Sequence, residues 1–173
     1  MLRTLTIAAA ALLALQGCGF TPLYATADPA GRASLSQIRV TEIVANETVL
    51  PLIERAAATR AAREDEAALY GLRIVAREAA SPLAVQIDAS VTRYNYQLTA
   101  DYVLTRYSDG KEFRGTEDSI ASFNVVDSQY STLFAEEAAR EKAARALMEE
   151  IERSILLKMT QDEEREALAA KAK

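Results

Sequence analysis

From Val91 to Tyr107 the chain alternates between hydrophobic and polar positions. Tyr94, Tyr96, Leu98, Ala100, Tyr102 and Leu104 fall on one side, and Arg93, Asn95, Gln97, Thr99, Asp101, Val103 and Thr105 on the other. A period of two puts these sets on opposite faces of a strand, one apolar and one polar. Ser108-Asp109-Gly110-Lys111 follows; Asp-Gly supplies the positive φ that a tight hairpin turn needs. The return strand is expected from about Glu112 to Asn124, with a bulge at Gly115. Upstream, Gln37–Val44 is rich in β-branched residues and reads as a first strand. Its pattern is mixed: Ile38, Val40 and Glu42 share one side, and Arg39, Thr41 and Ile43 the other. Leu72–Val75 reads as a second strand, broken at Ser81-Pro82.

Two segments have helical spacing instead. Pro51 suits the first turn of a helix, where its missing N–H costs nothing. The Ala-, Arg- and Glu-rich stretch after it predicts a helix to about Leu69, with a thin stripe of Leu52, Ile53, Ala56, Ala57, Ala61 and Ala68. A second helix begins after Asp127, Ser128 or Ser131, any of which can cap it. Its expected core stripe is Phe134, Ala138, Ala144, Leu147, Met148, Ile151 and Ile155. Glu136–Arg140, Glu141–Arg145 and Glu149–Arg153 are expected to pair across one turn. The charged tail after Thr160 is expected to fray. The sum is an α+β fold: two helices packed on one face of a four-stranded sheet, in the order β-α-β-β-β-α. The row Arg93, Asn95, Gln97, Thr99, Asp101 and Thr105 then faces water or a polar partner. Tyr24, Tyr70, Tyr107 and Tyr130 lie near element ends and read as rim packing.

The N-terminus departs from both patterns. Leu5–Leu15 is an apolar run behind a single positive charge, Arg3. It is too short to span a bilayer and suits a signal-peptide core. Leu15-Gln16-Gly17-Cys18 follows, with Leu three residues before the Cys and a small residue just before it: the lipobox pattern, whose Cys is lipidated and becomes the mature N-terminus. Residues 1–17 are therefore read as a lipoprotein signal peptide, 18–34 as a lipidated tether, 35–160 as a single α+β domain and 161–173 as a charged C-terminal tail. A single acyl chain binds membranes only marginally, whereas several on one Cys make a lasting anchor. Gly19 in second position, where Asp commonly retains lipoproteins in the inner membrane, favours the outer membrane.

Composition narrows the function classes. The 173 residues contain one Cys and no His, with a formal charge of −5. One Cys excludes an internal disulfide and a Cys-cluster metal site. The missing His removes the commonest general base and the usual catalytic triads. An acidic balance argues against nucleic acid as a partner. No Gly-rich phosphate loop or Gly-x-Ser-x-Gly elbow occurs in the sequence. Adjacent acids such as Glu136-Glu137 point apart around a helix. The expectation is a protein without catalysis, cofactor or metal.

Gly17-Cys18-Gly19-Phe20-Thr21-Pro22-Leu23-Tyr24 resembles the start of the LptE family of lipopolysaccharide-assembly lipoproteins, in its short alphaproteobacterial form. Asn124–Glu136 resembles that family's link from the last strand into the C-terminal helix. The resemblance implies an outer-membrane lipoprotein that sits inside the LptD β-barrel, supports the barrel's assembly and takes part in delivering lipopolysaccharide to the outer leaflet. The competing reading is a scaffold lipoprotein of another envelope complex. For an anionic lipopolysaccharide, the expected contact is the hairpin cluster Arg106, Lys111 and Arg114, because Arg engages phosphate bidentately.

Overall fold

The computed structural model describes residues 37–61, 67–85, 91–126 and 128–171. The elements run β1 (Ile38–Val44), α1 (Leu50–Ala58), β2 (Tyr70–Val85), β3 (Val91–Arg106), β4 (Glu112–Asn124) and α2 (Gln129–Lys171). The strands lie side by side in sequence order. β1 pairs with β2 in parallel, and β2–β3 and β3–β4 are antiparallel. Both helices pack on the same face of this sheet. The fold class read from the sequence is the one observed.

β3 behaves as its alternation demands: Tyr96, Leu98, Ala100, Tyr102 and Leu104 are all buried on the helix side. The mixed pattern of β1 has a physical cause. Val40 pairs with Leu72 and Glu42 with Arg73, so Thr41 is an extra, bulged residue. The bulge switches the parity of the strand. Ile38 and Val40 before it and Ile43 after it therefore all reach the core, and Glu42 turns outward. The Thr41 hydroxyl donates to the Leu72 carbonyl at 3.1 Å.

Two elements differ in length from expectation. α1 stops at Ala58 instead of continuing toward Leu69. Only Ile53 and Ala57 of this helix are fully buried, and a stripe that is mostly Ala gives a longer helix little to pack. Arg60, just beyond the end, turns to Glu149 and Glu152 of α2 at 2.9 and 3.1 Å. β2, by contrast, runs straight through Ser81-Pro82, with register shifts only after Pro82. β1 ends opposite Val75, so Pro82 lies on an edge, where a residue without an N–H is tolerated.

Gly115 is not a bulge, because the β3–β4 register is continuous through it. It faces Tyr102, whose ring atoms lie 2.5–2.6 Å from where a Cβ would stand. Tyr102 is fully buried and its hydroxyl meets Ser154 Oγ at 2.8 Å, so the ring has no room to move. Gly115→Ala is expected to cost about 1–3 kcal/mol by overpacking. Denaturant midpoints test this, and Tyr102→Leu in the Gly115→Ala background should recover part of the loss.

α2 buries Ala139, Ala143, Ala144, Leu147, Met148, Ile151, Ile155 and Met159. The expected stripe holds from Ala144 onward and fails before it: Phe134 is 69% exposed and Ala138 faces solvent. The reason is close approach. β4 offers the small residues Ser119 and Ala121 here, and Ser119 Oγ donates to the Ala143 carbonyl at 2.8 Å. A helix riding this near the sheet needs Ala139 and Ala143 on its inner face, which turns Phe134 out. Ser128 caps the helix, its Oγ accepting from the Ser131 N–H at 3.4 Å; Asp127 lies outside the described residues. Glu136–Arg140 and Glu141–Arg145 pair as expected, at 2.6 and 3.1 Å. Arg153 pairs with Glu150 at 2.8 Å, and Glu149 with Arg60 at 2.9 Å.

Glu78 joins three elements at the margin of the core. It accepts from Asn46 Nδ2 in the turn before α1 and from Arg140 Nε of α2 at 3.4 Å. Arg140 also lies over the Tyr96 ring at 5.7 Å. Burial pushes the Glu78 carboxyl up, but Tyr96, Asn46 and Arg140 outweigh burial and hold it below its ordinary 4.5. The Tyr96 hydroxyl makes no hydrogen bond of good geometry, though it lies near enough to Glu78 for each to bias the other. Burial first, and then Glu78, push that phenol well above its usual range. A carboxyl with a depressed folded pKa stabilises the protein above its unfolded pKa, and the contribution fades as pH falls through the folded value. Glu78→Gln is therefore expected to cost about 1–3 kcal/mol at pH 7, the scale of hydrogen bonds to a charged group. Urea titrations should show the gap to wild type closing below about pH 4 as both side chains become neutral.

Candidate functional site

The face of the sheet away from the helices is a mostly polar surface. β3 contributes Arg93, Asn95, Gln97, Thr99, Asp101 and Thr105, the row expected from the alternation. The neighbouring strands add Glu42, Arg73, Arg77, Ser81, Arg114, Thr116, Asp118 and Ser122 in register. Several of these side chains pair across the strands. Arg73 pairs with Glu42. Asp101 accepts from Arg77 Nη2 at 2.5 Å and from Thr116 Oγ1 at 2.7 Å. Ser122 Oγ donates to Asn95 Oδ1 at 2.7 Å. The Thr116 hydrogen bond, with Arg77 behind it, holds the Asp101 carboxyl below its usual range. Cross-strand pairs of this kind add to the pairing of a sheet. They also leave a surface that needs no apolar cover. Its exposed large apolar residues include Val44, Tyr107 and Ile120. Tyr107 lies across Gly71 on this face, with its hydroxyl 2.6 Å from where a Cβ would be.

The hairpin cluster is divided. Gly110 sits at φ +73, as the Asp-Gly turn requires, and Arg106 and Lys111 flank the turn on the helix side. Arg106 forks onto Asp109 with bonds of 2.9 and 2.6 Å. It also reaches Glu166 at 3.1 Å and Asp162 at 3.6 Å. Lys111 bridges Asp162 and, at 3.3 Å, Glu166. The Arg106 hydrogen bonds bring the Asp109 carboxyl down to about 2. The hydrogen bonds Arg106 donates to Asp109 and Glu166 raise its pKa above the usual value, and the one Lys111 donates to Asp162 does the same for Lys111. Arg114 does not join them. It lies on the open face and pairs with Glu112 at 3.1 Å.

Asp162 and Glu166 are the residues that sequence reasoning missed. Their spacing of four places both carboxylates on one helix face, but nothing local says which cations they meet. α2 also does not fray after Thr160; it stays helical to Lys171.

No family model matches the sequence, and no curated protein matches it. Solved structures do match. A candidate lipoprotein from Caulobacter crescentus CB15 superposes with a TM-score of 0.51 at 19% identity, over 73% of this chain and 93% of that one. A minor lipoprotein from Acinetobacter baumannii gives 0.51 at 15% identity, over 73% and 95%. The fold is one that bacterial lipoproteins use. At these identities the likeness is one of architecture. Cys18, the proposed lipid site, lies outside the described residues.

Elsewhere the first turns of α2 leave an apolar stripe in solvent. Tyr130, Leu133 and Phe134 are 78%, 63% and 69% exposed, with Val126 beside them. They follow the i, i+3, i+4 spacing of one helix face.

Proposed function

We propose that this chain is an envelope lipoprotein of the LptE type. It is anchored to the outer membrane through acylated Cys18, and its folded body plugs the lumen of the LptD β-barrel. In that role it supports assembly of the barrel and takes part in delivering lipopolysaccharide, without catalysis and without a cofactor. The observation that carries this reading is the open sheet face, a surface of mostly polar side chains, several of them paired across the strands. Barrel lumens in the outer membrane are polar, so a plug must present such a surface without large apolar patches. The resemblance at Cys18–Tyr24 and the fold shared with other lipoproteins support the same reading.

A partner that binds only the folded barrel stabilises it by mass action. Depleting this chain should therefore lower the amount of assembled LptD, and the two should co-purify. Unchanged barrel levels together with unchanged lipopolysaccharide export would overturn the proposal. A second reading, a scaffold lipoprotein of another envelope complex, is favoured by the Tyr130, Leu133 and Phe134 stripe, which suits a protein groove better than a polar lumen. Co-purification of a partner that is lost in Leu133→Glu, with barrel levels unchanged, would select it.

A further inference from the structure

Met159 is the last buried apolar residue of α2, yet the helix continues to Lys171. Its Glu, Arg, Ala and Lys content favours helix, but past Met159 it has no buried apolar stripe to dock it. Asp162, Glu163, Glu164 and Glu166 crowd four carboxylates into one short stretch of the helix. Asp162 and Glu166 also repel each other across one turn. Two hairpin cations offset this. Lys111 lies between the two carboxylates, and Arg106 reaches both while holding Asp109.

We infer that α2 beyond Met159 is a counter-ion latch: Arg106 and Lys111 hold it helical and, while closed, its carboxylates occupy the place a phosphate-bearing ligand would take on that pair. The charge count supports this. With the arm docked, two cations face three carboxylates, Asp109, Asp162 and Glu166, and the site repels an anion. With the arm released, the same cations face Asp109 alone and the site attracts one. A guanidinium fork and an ammonium serve phosphate oxygens as well as carboxylate oxygens. The arm is held by partly exposed ion pairs, so added salt weakens it. The ligand class rests on the reading that the hairpin meets a phosphorylated glycolipid; the latch itself rests on the contacts.

The test uses the full chain purified in detergent, with amide exchange over residues 160–171 and binding of inorganic pyrophosphate as readouts. In wild type, protection of the arm should fall about tenfold between low salt and about 0.5 M salt, while that of Ala143–Ile155 stays unchanged. Asp162→Asn with Glu166→Gln should exchange fast at every salt concentration and bind pyrophosphate about tenfold more tightly. A chain ending at Thr160 should gain likewise, and adding Arg106→Gln and Lys111→Gln should abolish the gain. Equal arm protection in wild type and in the Asn/Gln variant would overturn the latch, as would an opened arm with no gain in pyrophosphate affinity. Barrel co-purification is scored separately. A variant that gains pyrophosphate affinity from a chain that never captures a barrel would sustain the latch and overturn the barrel reading.

Discussion

A Cys18→Ala chain should leave the membrane. The substitution removes the only thiol in the sequence and with it the proposed acylation site. Among the described residues no helix is long and apolar enough to cross a bilayer, so the folded body offers no substitute of that kind. Each buried acyl CH₂ contributes ~0.8 kcal/mol, and several chains together make partition effectively irreversible. Losing them should shift the protein from the outer-membrane fraction to the soluble periplasmic fraction, or leave it as unprocessed precursor. Fractionation by density gradient checks this. Mature protein still in the outer membrane in a strain without a barrel partner would remove the lipoprotein claim. In a wild-type strain part of the chain should remain barrel-bound, because plugging uses the folded surface and not the lipid.

The largest stability loss is expected at Ile151. It is fully buried and borders a small apolar gap walled by Ile38, Val40, Ala57, Leu72, Met148 and Ile155. Ile151→Ala enlarges that gap. α1 lines it with Ala57 alone, and Arg60 and Ala61 follow beyond the helix end, so this side offers no large apolar side chain to fill it. The cost should fall near the upper part of the 2–5 kcal/mol range for such truncations, about 4 kcal/mol. Urea unfolding should show a lower midpoint at unchanged slope. Ile120→Ala, on the open face, should change stability by no more than ~0.5 kcal/mol. A similar loss at both positions would mean that the helix layer and the open face are not as unequal as the packing indicates.

The parts of the fold legible in the sequence are those fixed by local periodicity. β3, the Asp-Gly turn and the C-terminal half of the α2 stripe depend on residues close together in the chain. The parts that were not legible depend on contacts far apart in it. The Thr41 bulge brings Ile43 inward, and only the pairing with β2 reveals it. Phe134 faces solvent because Ser119 and Ala121 on β4 admit an Ala-lined helix. Pro82 stays within a strand because β1 stops short of it. The open face followed from the β3 pattern, but its ladder of pairs needed the register of four strands. At the hairpin, Arg106 and Lys111 were visible as a cluster. That they face Asp162 and Glu166 while Arg114 faces the other way depends on strand parity at the turn and on where a 43-residue helix ends.

The central claim is that the open sheet face lies against the wall of a barrel lumen. A photo-crosslinking side chain placed at Gln97 or Thr99, in the middle of β3, tests it in intact cells. An adduct with LptD is expected from both positions. No barrel adduct from either position, with adducts instead to other envelope proteins through Leu133 or Phe134, would contradict it.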